Sequence, residues 1–116
     1  MNTDILQQIA TNALNDLKAI DLTVFDVREM TTVTDMMIIC SGRSTPHVKS
    51  LANKVIQAAK AEKVSYLRTE GEKNAEWIIV DLGDVVVHIM LPAIRAFYRL
   101  EDLWHPVETA RSRQNQ

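Results

Sequence analysis

Cysteine is almost missing from this chain: Cys40 stands alone, so no disulfide framework can hold the fold together. It lies in the apolar run Met36-Met37-Ile38-Ile39-Cys40, where a lone thiol reads as a small buried hydrophobe. A positive surplus is missing too. Thirteen Lys and Arg against fifteen Asp and Glu give a formal charge of −2. That balance argues against a general phosphate-backbone binder, which would need a basic surplus or a basic patch, and it leaves room for a basic protein partner. Long apolar runs are also lacking. The longest, Val85 to Leu91, is interrupted by His88 and falls far short of the roughly 20 residues that span a bilayer, so no membrane role is expected. The first residues alternate polar with apolar and carry Asp4, unlike the apolar core of a signal peptide; the expected location is the cytoplasm.

The chemistry of a catalytic centre is equally sparse. His47, His88 and His105 stand far apart, without the i, i+4 spacing or Cys partners of a zinc site, so no metal and no cofactor are assigned. No Gly-x-Ser-x-Gly elbow, Gly-rich phosphate loop or Cys-His pairing is present. The best enzymatic lead is Ser41-Gly42-Arg43-Ser44 at a helix start, because N–H groups at a helix N-terminus attract anions and nucleotidyltransferases use such a turn. They also need carboxylates close by to hold a divalent metal, and no Asp or Glu occurs between Ser44 and Lys60. Capping by Ser44 or Thr45, with Pro46 in the first turn, is the simpler role. We therefore expect no enzyme.

What the chain does have is a clear hairpin, Trp77-Ile-Ile-Val-Asp-Leu-Gly-Asp-Val-Val-Val-His-Ile-Met-Leu91. Gly83-Asp84 supplies the positive φ of a two-residue primed turn, and β-branched residues fill both arms. Setting Leu82 opposite Val85 pairs Asp81 with Val86, Val80 with Val87, Ile79 with His88, Ile78 with Ile89 and Trp77 with Met90. Alternation then places Leu82, Val85, Val80, Val87, Ile78 and Ile89 on one aliphatic face, which must be core. The other face collects Asp81, Val86, Ile79, His88, Trp77 and Met90. Either it seeks a partner, or more of the chain packs over it with His88 hydrogen-bonded inside.

Around the hairpin the pattern is α/β. Ile5, Ile9, Ala13 and Leu17, with Leu6, Ala10 and Leu14 beside them, mark an amphipathic first helix capped by Asn2 or Thr3. Thr23 to Val27 and Asp35 to Cys40 read as strands. Val48, Leu51, Ala52, Val55, Ile56 and Ala59 form the apolar stripe of a second helix. The strand, helix, strand order suggests a right-handed crossover to a parallel strand near Tyr66 to Thr69, which with the hairpin gives a mixed sheet. Short helical turns follow Leu91-Pro92 and end before Pro106. Residues 1–105 read as one domain, and 106–116 as a flexible tail too polar to offset its ordering.

Asp35 through Gly42, Ser44-Thr45, His47-Val48-Lys49, Glu76-Trp77, Asp81-Leu-Gly-Asp-Val-Val-Val-His88, Leu91-Pro92, Arg95, Phe97-Tyr98 and Leu103-Trp104 together resemble the ribosomal silencing factor family, also called Iojap-like. The likeness runs in order over about residues 5 to 105. It implies a mixed β-sheet with helices mainly on one face, a nucleotidyltransferase-like topology without the catalytic carboxylates. It also implies binding to the large ribosomal subunit at its intersubunit face, through large-subunit protein fourteen. Such binding would block small-subunit joining and repress translation when nutrients are scarce, with a part in large-subunit maturation. The free protein would be a homodimer.

An aromatic anchor rimmed by charge is the usual anatomy of a binding spot. The candidate partner contacts are therefore Trp77, Met90, Leu91, Arg95 and Tyr98, with Glu70, Glu76 and Asp81 as electrostatic contributors toward a basic partner. No sequence-specific nucleic-acid binding is expected. As an exposed anchor, Trp77 changed to Ala should weaken subunit binding and leave the melting temperature nearly unchanged. Two alternatives stay open: a nucleotide-binding enzyme using Ser41 to Ser44, and a homodimeric adaptor pairing through the hairpin face or the first helix.

Overall fold

In a computed structural model, which describes residues 2–104, five strands form one mixed sheet in the order β1-β2-β5-β4-β3. The strands are β1 (Ile20–Asp26), β2 (Met36–Ser41), β3 (Arg68–Glu70), β4 (Trp77–Asp81) and β5 (Val85–Met90). Three helices, α1 (Thr3–Asp16), α2 (Thr45–Ala61) and α3 (Pro92–Tyr98), and a 3₁₀ turn, Leu100–Leu103, complete it. Residue 105 and the expected tail, 106–116, lie outside the described residues. No described helix is long and apolar enough to cross a membrane.

The β4–β5 hairpin has the register that its turn dictates, from Trp77 opposite Met90 to Asp81 opposite Val86. The Leu82 N–H donates to the Val85 carbonyl at 2.8 Å. Gly83 takes φ 87 and Asp84 does not turn positive, the φ pattern of a II′ turn. The Gly83 N–H donates to Asp81 Oδ1 at 2.8 Å, so the acid before the turn closes it. The Asp84 backbone carbonyl in turn accepts the Asp35 and Met36 N–H groups, which ties the hairpin to the start of β2.

The parallel pairing falls elsewhere than the strand, helix, strand order suggests. β2 is parallel to β5, while β3 sits at the far edge, antiparallel to β4. Burial explains the difference. β2 and β5 are apolar on both faces, as interior strands covered on both sides must be. β3 is three residues long and largely exposed, which suits an edge.

α1 and α2 cover one face of the sheet. Leu6, Ala10, Ala13 and Leu14 of α1 and Val48, Leu51, Ala52, Val55 and Ala59 of α2 pack there on Ile38, Cys40, Ile78, Val80, Val87 and Ile89. The buried stripe of α1 is turned slightly from the one read in the sequence: Ile5 lies in solvent and Leu6 takes its place. Asn2 caps α1 by accepting the Ile5 N–H at 2.9 Å, and Thr3 is free to donate to Asp35 Oδ2 at 2.8 Å. Ser44 caps α2. A Cβ on Gly42 would stand 2.9 Å from the Val48 backbone nitrogen, so glycine lets the helix start lie against the end of β2. Burial pushes the Cys40 thiol up to about 12, which keeps it protonated, as befits a small hydrophobe.

Candidate partner-binding site

The second face of the sheet carries a smaller cluster, Phe25, Val27, Ile39 and Met90, with Trp77, Ile94, Leu100 and Trp104 packed against it. α3 and the 3₁₀ turn reach this face because the chain reverses at Leu91, whose N–H donates to the Glu76 carbonyl at 2.9 Å. Pro92 suits the first turn of α3, and Arg99 at φ 50 ends it in the left-handed region.

The hairpin register brings Trp77 beside His88. The indole N–H donates to His88 Nδ1 at 3.0 Å, so the imidazole is neutral with its proton on Nε2. Burial pushes His88 down to about 4, which keeps it neutral. Tyr98 lies tilted over Trp77 with ring centroids 4.9 Å apart, and Phe97 meets Tyr98 edge-on at 5.0 Å. Four rings thus run from core to solvent. His88 is 8% exposed, Trp77 partly buried, Tyr98 53% and Phe97 79% exposed. The opposing possibilities for this face both hold in part. Chain packs over it and His88 is bonded inside, yet the outer rings stay bare.

The sequence-derived contacts divide accordingly. Trp77 and Tyr98 belong to the ridge. Met90 does not: it is fully buried, because α3 and the strand pair enclose it, and it must be withdrawn as a contact. Arg95 is also engaged within the chain. Its side chain is 12% exposed, with Nε donating to Glu101 Oε2 at 2.9 Å and Nη1 donating to the Asp21 carbonyl at 2.8 Å. It fastens α3 to the irregular start of β1, where Asp21 sits at φ 50. Leu91 is partly buried at the reversal. Glu70 is exposed opposite Ile79, so it shares the face of the ridge, and exposed Glu76 directly precedes Trp77. Asp81 is partly buried and occupied with the turn. Phe97, absent from the contacts chosen by sequence, is the most exposed aromatic of the cluster. Sequence periodicity gives no signal for it: Ile94, Phe97 and Tyr98 stand at i, i+3 and i+4, the spacing of a buried stripe.

At Ser41 to Ser44 the Arg43 N–H and the Ser44 hydroxyl are spent on structure. The Arg43 N–H donates to His47 Nδ1 at 2.9 Å, and the His47 N–H donates to Ser44 Oγ at 3.3 Å. His47 Nε2 donates to the Leu17 carbonyl at 2.8 Å, joining the end of α1 to the start of α2. Among the described residues no three His, Cys, Asp or Glu side chains come together as a metal site would require.

Comparison with known proteins agrees with the architecture. Residues 2–116 match the family model described as "Ribosomal silencing factor during starvation". A Chromobacterium violaceum protein named "Ribosomal silencing factor RsfS" is 40% identical over 104 residues, covering 90% of this chain and 85% of its own. A crystal structure of a protein from the same organism superposes with a TM-score of 0.87 at 40% identity, over 90% of this chain and 87% of that one. A mouse protein named "Mitochondrial assembly of ribosomal large subunit protein 1" is 35% identical over 94 residues, 78% of this chain and 41% of its own. With the mixed sheet, the hairpin and the aromatic ridge in place, the chain belongs to the ribosomal silencing factor family.

Proposed function

We propose that this chain silences ribosomes by occupying space. It binds the large subunit at its intersubunit face, through large-subunit protein fourteen, and the small subunit cannot then join. Translation falls when nutrients are scarce, and no substrate is transformed. The observation that carries this reading is the ridge itself, with Tyr98 and Phe97 bare in solvent and braced from beneath by Trp77 and His88. A braced aromatic loses little conformational freedom on docking, and such rings supply about 2 kcal/mol or more each when an interface covers them. Glu70 and Glu76 beside it add complementarity to a basic partner and speed encounter. The same contact would serve in subunit maturation, the role that the mouse relative's name carries. A homodimer of the free protein would shelter the exposed rings until the subunit takes them.

Sedimentation tests this directly. Added protein should comigrate with large subunits and raise the free-subunit fraction. The pair Phe97→Ala with Tyr98→Ala should lower affinity for isolated large subunits about 1,000-fold, from about 2 kcal/mol at each ring. Unaltered subunit joining at saturating wild-type protein would end the proposal, and so would comigration of the double variant at wild-type affinity.

A further inference from the structure

We infer that the solvent face of α2 is a second docking surface, one that takes the phosphate backbone of RNA. The overall charge hides it. Between residues 36 and 67 stand five of the chain's thirteen cations, Arg43, Lys49, Lys54, Lys60 and Lys63, and one of its fifteen acids, Glu62. All five cations are exposed. The remaining residues are strongly acidic, so this molecule of net charge −2 is polarised, with its positive side on and beside one helix. Lys49 and Lys60 lie on the same side three turns apart, about 16 Å along the axis. Lys54 takes the other edge, where it lines a shallow cleft with Leu17, Ser50, Asn53 and Gln57. The flanking acids are Asp16 at the end of α1 and Glu62 at the α2 C-cap.

The character of the face selects the partner. Protein hot spots need a large apolar or aromatic anchor, and α2 contributes none of the exposed large hydrophobic side chains. Between its lysines it presents Ser50, Asn53 and Gln57, side chains that donate to phosphate and sugar oxygens. Lysines act as point charges, so the face grips a backbone without reading bases. α2 and the aromatic ridge occupy opposite faces of the sheet, which lets the domain hold a protein with one and RNA with the other. The choice of RNA among polyanions rests on the ribosome-binding reading above.

Fluorescence anisotropy with an RNA duplex of about 20 base pairs tests the assignment. For about four phosphates neutralised, wild-type affinity should fall with salt at a log–log slope of about −3 to −4. Lys49→Gln with Lys54→Gln and Lys60→Gln should reduce that slope by about 3 in magnitude, since Gln matches Lys in helix propensity and keeps the fold. Phe97→Ala with Tyr98→Ala should leave duplex binding unchanged. Absence of salt-dependent binding by the wild type, or a wild-type slope in the triple variant, would overturn the proposal. Equal competition by polyglutamate or by phosphatidylserine vesicles at matched charge would also overturn it, by assigning the face to an acidic protein or a membrane. Duplex binding by a wild type that fails to comigrate with large subunits would defeat the silencing reading alone. Ridge-dependent comigration alongside an unchanged triple variant would defeat this one alone.

Discussion

Truncating Trp77 separates a bare anchor from a ring that belongs partly to the core. A wholly buried Trp or Phe cut to Ala costs about 3–5 kcal/mol. Trp77 is partly buried, which brings this to about 2–3 kcal/mol; loss of its hydrogen bond to His88 adds about 1 kcal/mol. For a domain of this size each kcal/mol moves the melting temperature by about 4–8 °C, so Trp77→Ala should melt about 15–25 °C below the wild type. Trp77→Phe keeps an aromatic body and loses the donor, and should fall by about 5–10 °C. Phe97→Ala, at a ring 79% exposed, should stay within about 0.5 kcal/mol of the wild type. Calorimetric melts of the three variants, read beside large-subunit cofractionation well below every transition, give the comparison. Trp77→Ala melting within about 3 °C of the wild type would refute the bonded, half-enclosed indole and restore the freely exposed anchor that the sequence suggested.

His88 makes stability depend on pH with a definite sign. Its folded value, about 4, lies below the ordinary 6.5, so the unfolded chain takes up a proton that the native state refuses. Stability should therefore decline as pH falls from about 6.5 to about 4 and level off below, by at most about 3 kcal/mol. His88→Asn keeps an acceptor for the indole without titrating, so its loss between pH 7 and 4.5 should be about 2 kcal/mol smaller; parallel curves would refute this. Two glycines should rank by their surroundings. A Cβ on Gly71 (φ 90) would meet the Trp77 carbonyl oxygen at 2.0 Å, whereas on Gly83 (φ 87) its nearest neighbour is Tyr66 Cδ2 at 3.7 Å. Gly71→Ala should thus cost about 2 kcal/mol or more and Gly83→Ala about 1 kcal/mol, and urea midpoints in the reverse order would contradict the geometry.

The parts of the fold legible in the sequence are those set by neighbours along the chain. The hairpin register follows from one Gly-Asp turn and the two-residue period of its arms, and the start of α2 follows from Ser44 and Pro46. Which strand pairs with β2 depends on comparing burial across the whole sheet, and local order pointed to the wrong neighbour. The site divides in the same way. Trp77 and His88 share a face by alternation alone. Arg95 looks free in sequence because its acceptor, the Asp21 carbonyl, is 74 residues away. Met90 looks available because nothing local shows that α3 folds back over it.

The ridge exists because the second layer of this fold is too short. Four gaps between five strands span about 19 Å, while α3, seven residues long, extends about 10 Å. The helix closes over Phe25, Val27, Ile39 and Met90 and leaves the β4 side of its face unfinished. On the other face α1 and α2, with fourteen and seventeen residues, seal a dry core. Completing the thin layer with more of the same chain would give a more stable domain with nothing to offer. Left incomplete, with Trp77 fixed by His88 and Tyr98 laid over it, the gap becomes a rigid apolar edge. Its burial becomes available to a partner because folding has not already used it.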